Sequence, residues 1–186
     1  MNPRFQVFYE ATPNPHSMKF YVTEKITDET ACFEDPTKAA RSPLAEKIFG
    51  FPWAQAVLIG PNFVTITKQS WVDWTVLAEP LANLLAEHLN NDEGIFLPEP
   101  EWAEPELSFD ESPVVQKIKE ILNSEIRPAV AMDGGDIAFH SYKDNRLYLH
   151  MKGACSGCPS AMHTLKNGVE ERLKQDIPDL IEVISV

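Results

Sequence analysis

The runs Phe5–Glu10 and Ser17–Val22 have strand character and are joined by the turn-forming segment Thr12-Pro13-Asn14-Pro15-His16. Ser42-Pro43 then predicts a short helix, with Ser42 as N-cap, Pro43 at the first helical position and Gly50 just past the end. Val57–Ile59 and Phe63–Thr67 read as a hairpin around Gly60-Pro61-Asn62. A second helix follows, with Leu77, Leu81, Leu84, Leu85 and His88 on one stripe. Pro80 either opens that helix or kinks it.

Beyond residue 112 the periodicities run α-β-β-α-β. Ser112-Pro113 opens a helix that buries Val114 or Val115, Ile118, Ile121 or Leu122, and Ile126. Arg127-Pro128 is expected to end it, because the residue before a proline avoids helical backbone. Asp136–Tyr142 and Arg146–Met151 form a hairpin whose register follows from its faces. A two-residue loop at Asp144-Asn145 puts Ile137 and Phe139 on the same face as Tyr148 and His150. A three-residue loop, Lys143–Asn145 with Asn145 left-handed, gathers Ile137, Phe139, Leu147, Leu149 and Met151 on one face, so that loop is expected. A last helix begins at Pro159 and buries Met162, Leu165, Val169 and Leu173, with Glu170 and Lys174 paired outside. Pro178 stops it, and Ile181–Val186 is the final strand. The fold class is α+β: two small α+β domains, the second built on a mixed or antiparallel three-stranded sheet.

Composition marks the division between them. Asn91–Ser112 carries eight carboxylates, Asp92, Glu93, Glu99, Glu101, Glu104, Glu106, Asp110 and Glu111, with no Lys or Arg, and Pro98, Pro100 and Pro105 among them. Like charges repel and prolines stiffen, so residues 91–112 read as an extended linker between domains at 1–90 and 113–186. Ile95, Phe96, Leu97, Trp102, Leu107 and Phe109 give parts of it the means to dock on a neighbouring domain. The formal net charge of −12 argues against nucleic acid and anionic membranes as partners. No run approaches the roughly 18 apolar residues of a membrane span. Met1-Asn2-Pro3-Arg4-Phe5 has neither a signal core nor an Arg/Ser-rich leader, so the chain reads as soluble and cytoplasmic, or as already processed.

The chemistry concentrates in Gly153-Ala154-Cys155-Ser156-Gly157-Cys158-Pro159. Two thiols stand three apart where a strand gives way to a helix. A helix start lowers a thiol's pKa, and thiolate is the form that binds metal. Gly153 and Gly157 allow close backbone approach and supply amide donors toward sulfur. Iron–sulfur clusters and tetrahedral zinc take four ligands, whereas this motif supplies two. A symmetric dimer, with Cys155 and Cys158 from each subunit, is the simplest way to reach four. A cluster shared in that way leaves when the subunits part. A lone Cys-x-x-Cys also fits a thiol–disulfide oxidoreductase or half a zinc site in an adaptor. Its place after an antiparallel hairpin, late in the chain, suits the redox reading less well.

The residues around the motif resemble a known family. Gly153–Ser160, Thr164-Leu165-Lys166-Asn167-Gly168-Val169-Glu170 and Leu173, with Ile126-Arg127-Pro128 and Asp133-Gly134-Gly135-Asp136 upstream, resemble the C-terminal domain of NifU-like iron–sulfur scaffold proteins. Thr12-Pro13-Asn14-Pro15, Lys19-Phe20, Ser42-Pro43-Leu44-Ala45 and Phe63–Lys68 resemble the N-terminal domain of the Nfu-type members. Ala161 stands where the family often has a second Ser. The resemblance implies a carrier that is not an enzyme. It would hold a [4Fe–4S] cluster, with [2Fe–2S] as the alternative, on Cys155 and Cys158 of two subunits. It would take the cluster from upstream assembly machinery and deliver it to recipient apoproteins.

Other candidates read as structural. Asp133-Gly134-Gly135-Asp136 is a tight turn needing positive φ. His140 and His150 lie on the hairpin face away from Ile137 and Leu149 and read as surface residues. His163 reads as exposed, Cys32 as a small apolar filler, and Trp53, Trp71 and Trp74 as core or interface. No spacing of carboxylates singles out an acid–base pair.

Overall fold

The computed structural model describes residues 4–98, 112–156 and 159–186, the side chains of 159–164 excepted. The chain divides into two compact units, Met1–Glu101 and Trp102–Val186. Each combines helices with its own sheet, so the α+β class holds. Among the described residues no helix is long and apolar enough to cross a membrane.

In the first unit, β1 (Phe8–Ala11), β2 (Ser17–Tyr21), β3 (Ala31–Phe33), β4 (Ala54–Ile59) and β5 (Phe63–Lys68) form one antiparallel sheet in the order β1-β2-β5-β4-β3. Alternation puts Met18, Phe20, Val57, Ile59, Val64 and Ile66 on one face. They pack there against Leu44, Ala45 and Ile48 of α1 (Pro43–Phe49) and Ala78, Leu81, Ala82 and Leu85 of α2 (Trp74–Asn90). Ser42 caps α1 as expected: its Oγ accepts from Ala45 N at 3.2 Å and donates to the Ile95 carbonyl at 2.7 Å. The second of these bonds belongs to a strap. Past α2 the chain folds back on its own unit: His88 Nε2 meets Gly94 O at 3.3 Å, Leu97 N donates to Arg41 O at 2.7 Å, and the Phe96 ring lies 6.4 Å from Phe33. Ile95 and Phe96 therefore dock, whereas Trp102, Leu107 and Phe109 lie outside the described residues.

Several sequence expectations change here. The first strand begins at Phe8, not Phe5; Phe5 instead exchanges backbone bonds with the side chain of Asn90 at the end of α2. Pro80 does not open α2, which starts at Trp74 behind the Asp73 cap. Its buried stripe is Ala78, Leu81, Ala82, Leu85, His88 and Leu89, with Leu77 and Leu84 only partly covered. Of the three tryptophans, Trp53 is core, Trp74 packs partly buried against that core, with its ring 6.4 Å from Phe20, and Trp71, 67% exposed, is not core. The three-residue β3 and the 3-10 turn Pro36–Arg41 were not anticipated.

The second unit runs α3 (Pro113–Ile121), a π turn (Leu122–Ile126), α4 (Arg127–Met132), β6 (Gly135–Lys143), β7 (Arg146–Gly153), α5 (Pro159–Asp176) and β8 (Glu182–Ser185). Its sheet has the order β6-β7-β8, antiparallel then parallel. Ile137, Leu147, Leu149, Met151 and Val183 form the sheet side of the core, and Ile118, Ile121, Leu122, Ile126, Val130, Val169 and Leu173 the helical side. Val115, not Val114, is the buried member of that pair.

Two corrections share a cause, one extra residue absorbed in a regular element. The helix does not end at Arg127-Pro128. In the π turn Arg127 N–H bonds Leu122 O, five residues back, so the ladder has already slipped where Pro128 would have broken it. The hairpin loop has two residues, not three: Lys143 pairs with Arg146, and Asp144 and Asn145 both have positive φ (51° and 58°). A bulge at His140 then shifts the register, so that Phe139 opposes Leu149 and Ile137 opposes Met151. The expected single apolar face forms, by a different route.

Candidate functional site

Cys155 sits in the turn that follows β7, which the structure places against the start of β6. Gly135 pairs with Gly153 in the ladder, and Ala154 N donates to Gly134 O at 3.2 Å. Gly153 (φ 64°) and Gly134 (φ 75°) hold left-handed backbone that side chains disfavour. Gly135 is needed for a different reason. A Cβ there would stand 2.2 Å from Cys155 Sγ and 3.2 Å from a Val130 methyl. The doubled glycine thus splits its work: the first residue makes the turn and the second clears room for the sulfur.

Cys155 is 7% exposed and belongs to the second unit's apolar core. Burial, and next the carboxylates of Asp133 and Asp136, push its pKa up to about 12. This reverses the lowering expected from a helix start. The sulfur is in an apolar setting, and α5 begins four residues further on, beyond the short reach of its N-terminal field. Ligation requires the thiolate, so any metal at Cys155 must displace a proton held there by its surroundings.

Asp136 anchors the other side of the turn. Its buried carboxylate accepts two bonds from Arg127, at 2.8 Å from Nε and 3.0 Å from Nη2. Such a fork fixes direction as well as distance, and ties α4 to β6 beneath the cysteine. Arg127 also reaches Asn123 Oδ1 at 3.2 Å. Sequence reasoning treated Asp133–Asp136 as a turn; the turn is Asp133-Gly134, and Gly135 and Asp136 already belong to β6. It missed the Arg127–Asp136 pair and the clearance role of Gly135. The signal was available in opposite charges flanking a turn and in a second glycine that the turn's own φ does not require.

Cys158 and Gly157 lie outside the described residues, as do the side chains of Met162 and His163. Cys32 is in the first unit, half-buried on β3. Among the described residues no group of three or more His, Cys, Asp or Glu side chains is arranged to hold a metal ion. His140 and His150 are exposed, on the sheet face away from the core.

The chain was compared with known proteins. A family model described as "Scaffold protein Nfu/NifU N terminal" matches residues 7–92, and one described as "NifU-like domain" matches residues 118–184. The human protein named "NFU1 iron-sulfur cluster scaffold homolog, mitochondrial" is 36% identical over 172 residues, covering 91% of this chain and 67% of that protein. The Drosophila ananassae protein of the same name is 36% identical over 177 residues, covering 94% of this chain and 62% of its own. The chain thus spans about two thirds of the length of these curated relatives. The solution NMR structure of a NifU-like protein from Saccharomyces cerevisiae is 25% identical, covers 53% of this chain and 92% of that one, and superposes with a TM-score of 0.46. With both of its units matched in order and a relative this similar along nine tenths of its residues, the chain belongs to the Nfu-type family of NifU-like scaffold proteins.

Proposed function

We propose that the chain is an iron–sulfur cluster scaffold and carrier. Its cargo is a [4Fe–4S] cluster held by Cys155 and Cys158 of two copies and passed on to apoproteins. The observation that carries this reading is the ligand count. One chain has a single Cys-x-x-Cys, in the unit that matches the NifU-like domain, and a cluster wants four thiolates. A second copy completes the set without any new residue. Half-occupancy from each side also suits a cargo that has to leave.

The turn at Gly134-Gly135 and the Arg127–Asp136 pair position the first thiol. Burial speaks against a thiol–disulfide oxidoreductase, whose attacking sulfur sits accessible in an electropositive setting. For the first unit we propose a role in choosing partners, since it carries no described ligand cluster of its own.

Anaerobic reconstitution with iron and sulfide tests this directly. The expected product is a brown dimer with four iron and four acid-labile sulfide per two chains, on the composition of a [4Fe–4S] cluster. Cys155→Ser and Cys158→Ser each abolish the colour. A monomer with a complete cluster, or colour retained when both thiols are replaced, would overturn it. Zinc without sulfide would favour the adaptor reading. Deleting residues 1–90 is expected to spare loading and slow transfer to an acceptor apoprotein.

A further inference from the structure

We propose that His140 and His150 form a surface site for a divalent first-row transition-metal ion, separate from the cluster thiols. The two rings lie 4.6 Å apart, centre to centre, and are inclined at 66°. Both side chains are exposed on the face of the second sheet opposite its helices. They make no core and stabilise little by burial.

The pairing depends on the bulge. In an unbroken ladder Ala138 opposes His150, and the next residue outward on that face is His140. The extra residue sits at His140 itself, where β6 bends, and a bend of this kind re-aims the bulged side chain.

The second observation concerns which nitrogen of His150 is available. Its Nδ1 lies 3.1 Å from the main-chain oxygen of Val186. That oxygen only accepts, so Nδ1–H is the donor of this bond and Nε2 is the nitrogen left for an ion. An imidazole whose Nδ1–H is held by a carbonyl is the common state of a metal-ligating histidine, because the bond fixes both tautomer and ring direction. Two nitrogens at about 2.0–2.1 Å from a tetrahedral ion stand roughly 3.3 Å apart, within reach of exposed rings at this separation. Imidazole selects zinc, copper, nickel and ferrous iron over magnesium or calcium. With two protein ligands the remaining positions fall to water, so the ion is loosely held and exchanges readily.

The probe is Ni²⁺, titrated into the untagged full-length chain and followed by calorimetry and by histidine ring NMR signals. One ion per chain is expected. The ring signals of His140 and His150 should broaden while those of His16 and His88 stay sharp. His140→Ala and His150→Ala should each weaken the site by roughly tenfold or more. His140→Gln and His150→Gln serve as second variants should either alanine change perturb folding, and the same loss is expected of them. No uptake, or uptake unchanged in the variants with both ring signals unmoved, would overturn the proposal; the latter would assign the ion to thiols. Cluster loading by the same variants is expected to be normal, so the outcome is independent of the cargo reading above.

Discussion

The two units carry irregular backbone to different degrees. The first has five strands and two helices, conventional caps, one register shift between Ala54 and Ala56, a 3-10 turn and, among its described residues, one non-glycine with positive φ, Asp92. The second has three strands yet holds a π turn, a strand bulge, two left-handed residues in one loop and two left-handed glycines. Gly134, Gly153 and the π turn border the cysteine turn or the Arg127–Asp136 fork that supports it. Irregular backbone is costly, and it persists where a surrounding structure holds it for a purpose. The contrast teaches that the larger unit's sequence goes mainly into packing, whereas the smaller one gathers much of its irregular backbone around one buried sulfur.

Damage to each unit should therefore have different consequences. Leu44→Ala removes a fully buried side chain from the first core and should cost about 2–5 kcal/mol in that unit's stability. Iron bound per chain should be unchanged; a parallel loss of cluster would break the contrast. Gly135→Ala puts a methyl where Cys155 Sγ lies. It should cost about 1–3 kcal/mol by overpacking, and cluster yield should fall further than that loss of stability alone explains. Both are read from thermal melts beside iron and sulfide analysis. Asp136→Asn keeps the shape but weakens the fork from Arg127, and should cost about 1–2 kcal/mol with a partial loss of cluster.

The smallest expected effect is electrostatic. Hydrogen bonds from Arg172 hold the Glu125 carboxyl below its ordinary 4.5 and the Asp176 carboxyl below its ordinary 3.8. Carboxylates with lowered pKa add stability above their unfolded values and lose it as pH falls through the folded ones. The second unit should therefore weaken with acid below about pH 4.5. Arg172→Ala should flatten that dependence, measured by denaturant midpoint against pH.

Much of this was legible in the chain. Ser42-Pro43 and Ser112-Pro113 signal helix starts through local chemistry, and both caps form. The Asp133-Gly134 turn and the turn at Cys155 could be placed because short motifs carry their own geometry. What escaped was long-range or short-lived. β3 has three residues and exists through its pairing with β4, a contact no local pattern reports. Pro128 reads as a terminator until an i−5 bond upstream removes its conflict. The hairpin loop was misjudged because one strand alone does not reveal a bulge: the face argument was sound and the residue count was not. The Cys155 environment depends on a neighbour twenty residues away, Gly135, whose function is an absent atom.

The slipped turn at Leu122–Ile126 stores one spare residue in the second unit. Losing exposed Ser124 would let Arg127 N–H keep Leu122 O as an ordinary i−4 bond, so the side chains downstream would hold their direction. The same loss within the regular spiral of α3 would turn one part of its buried face by about 100° against the other. A one-codon deletion is therefore predicted to be tolerated inside the irregular turn and disabling beside it.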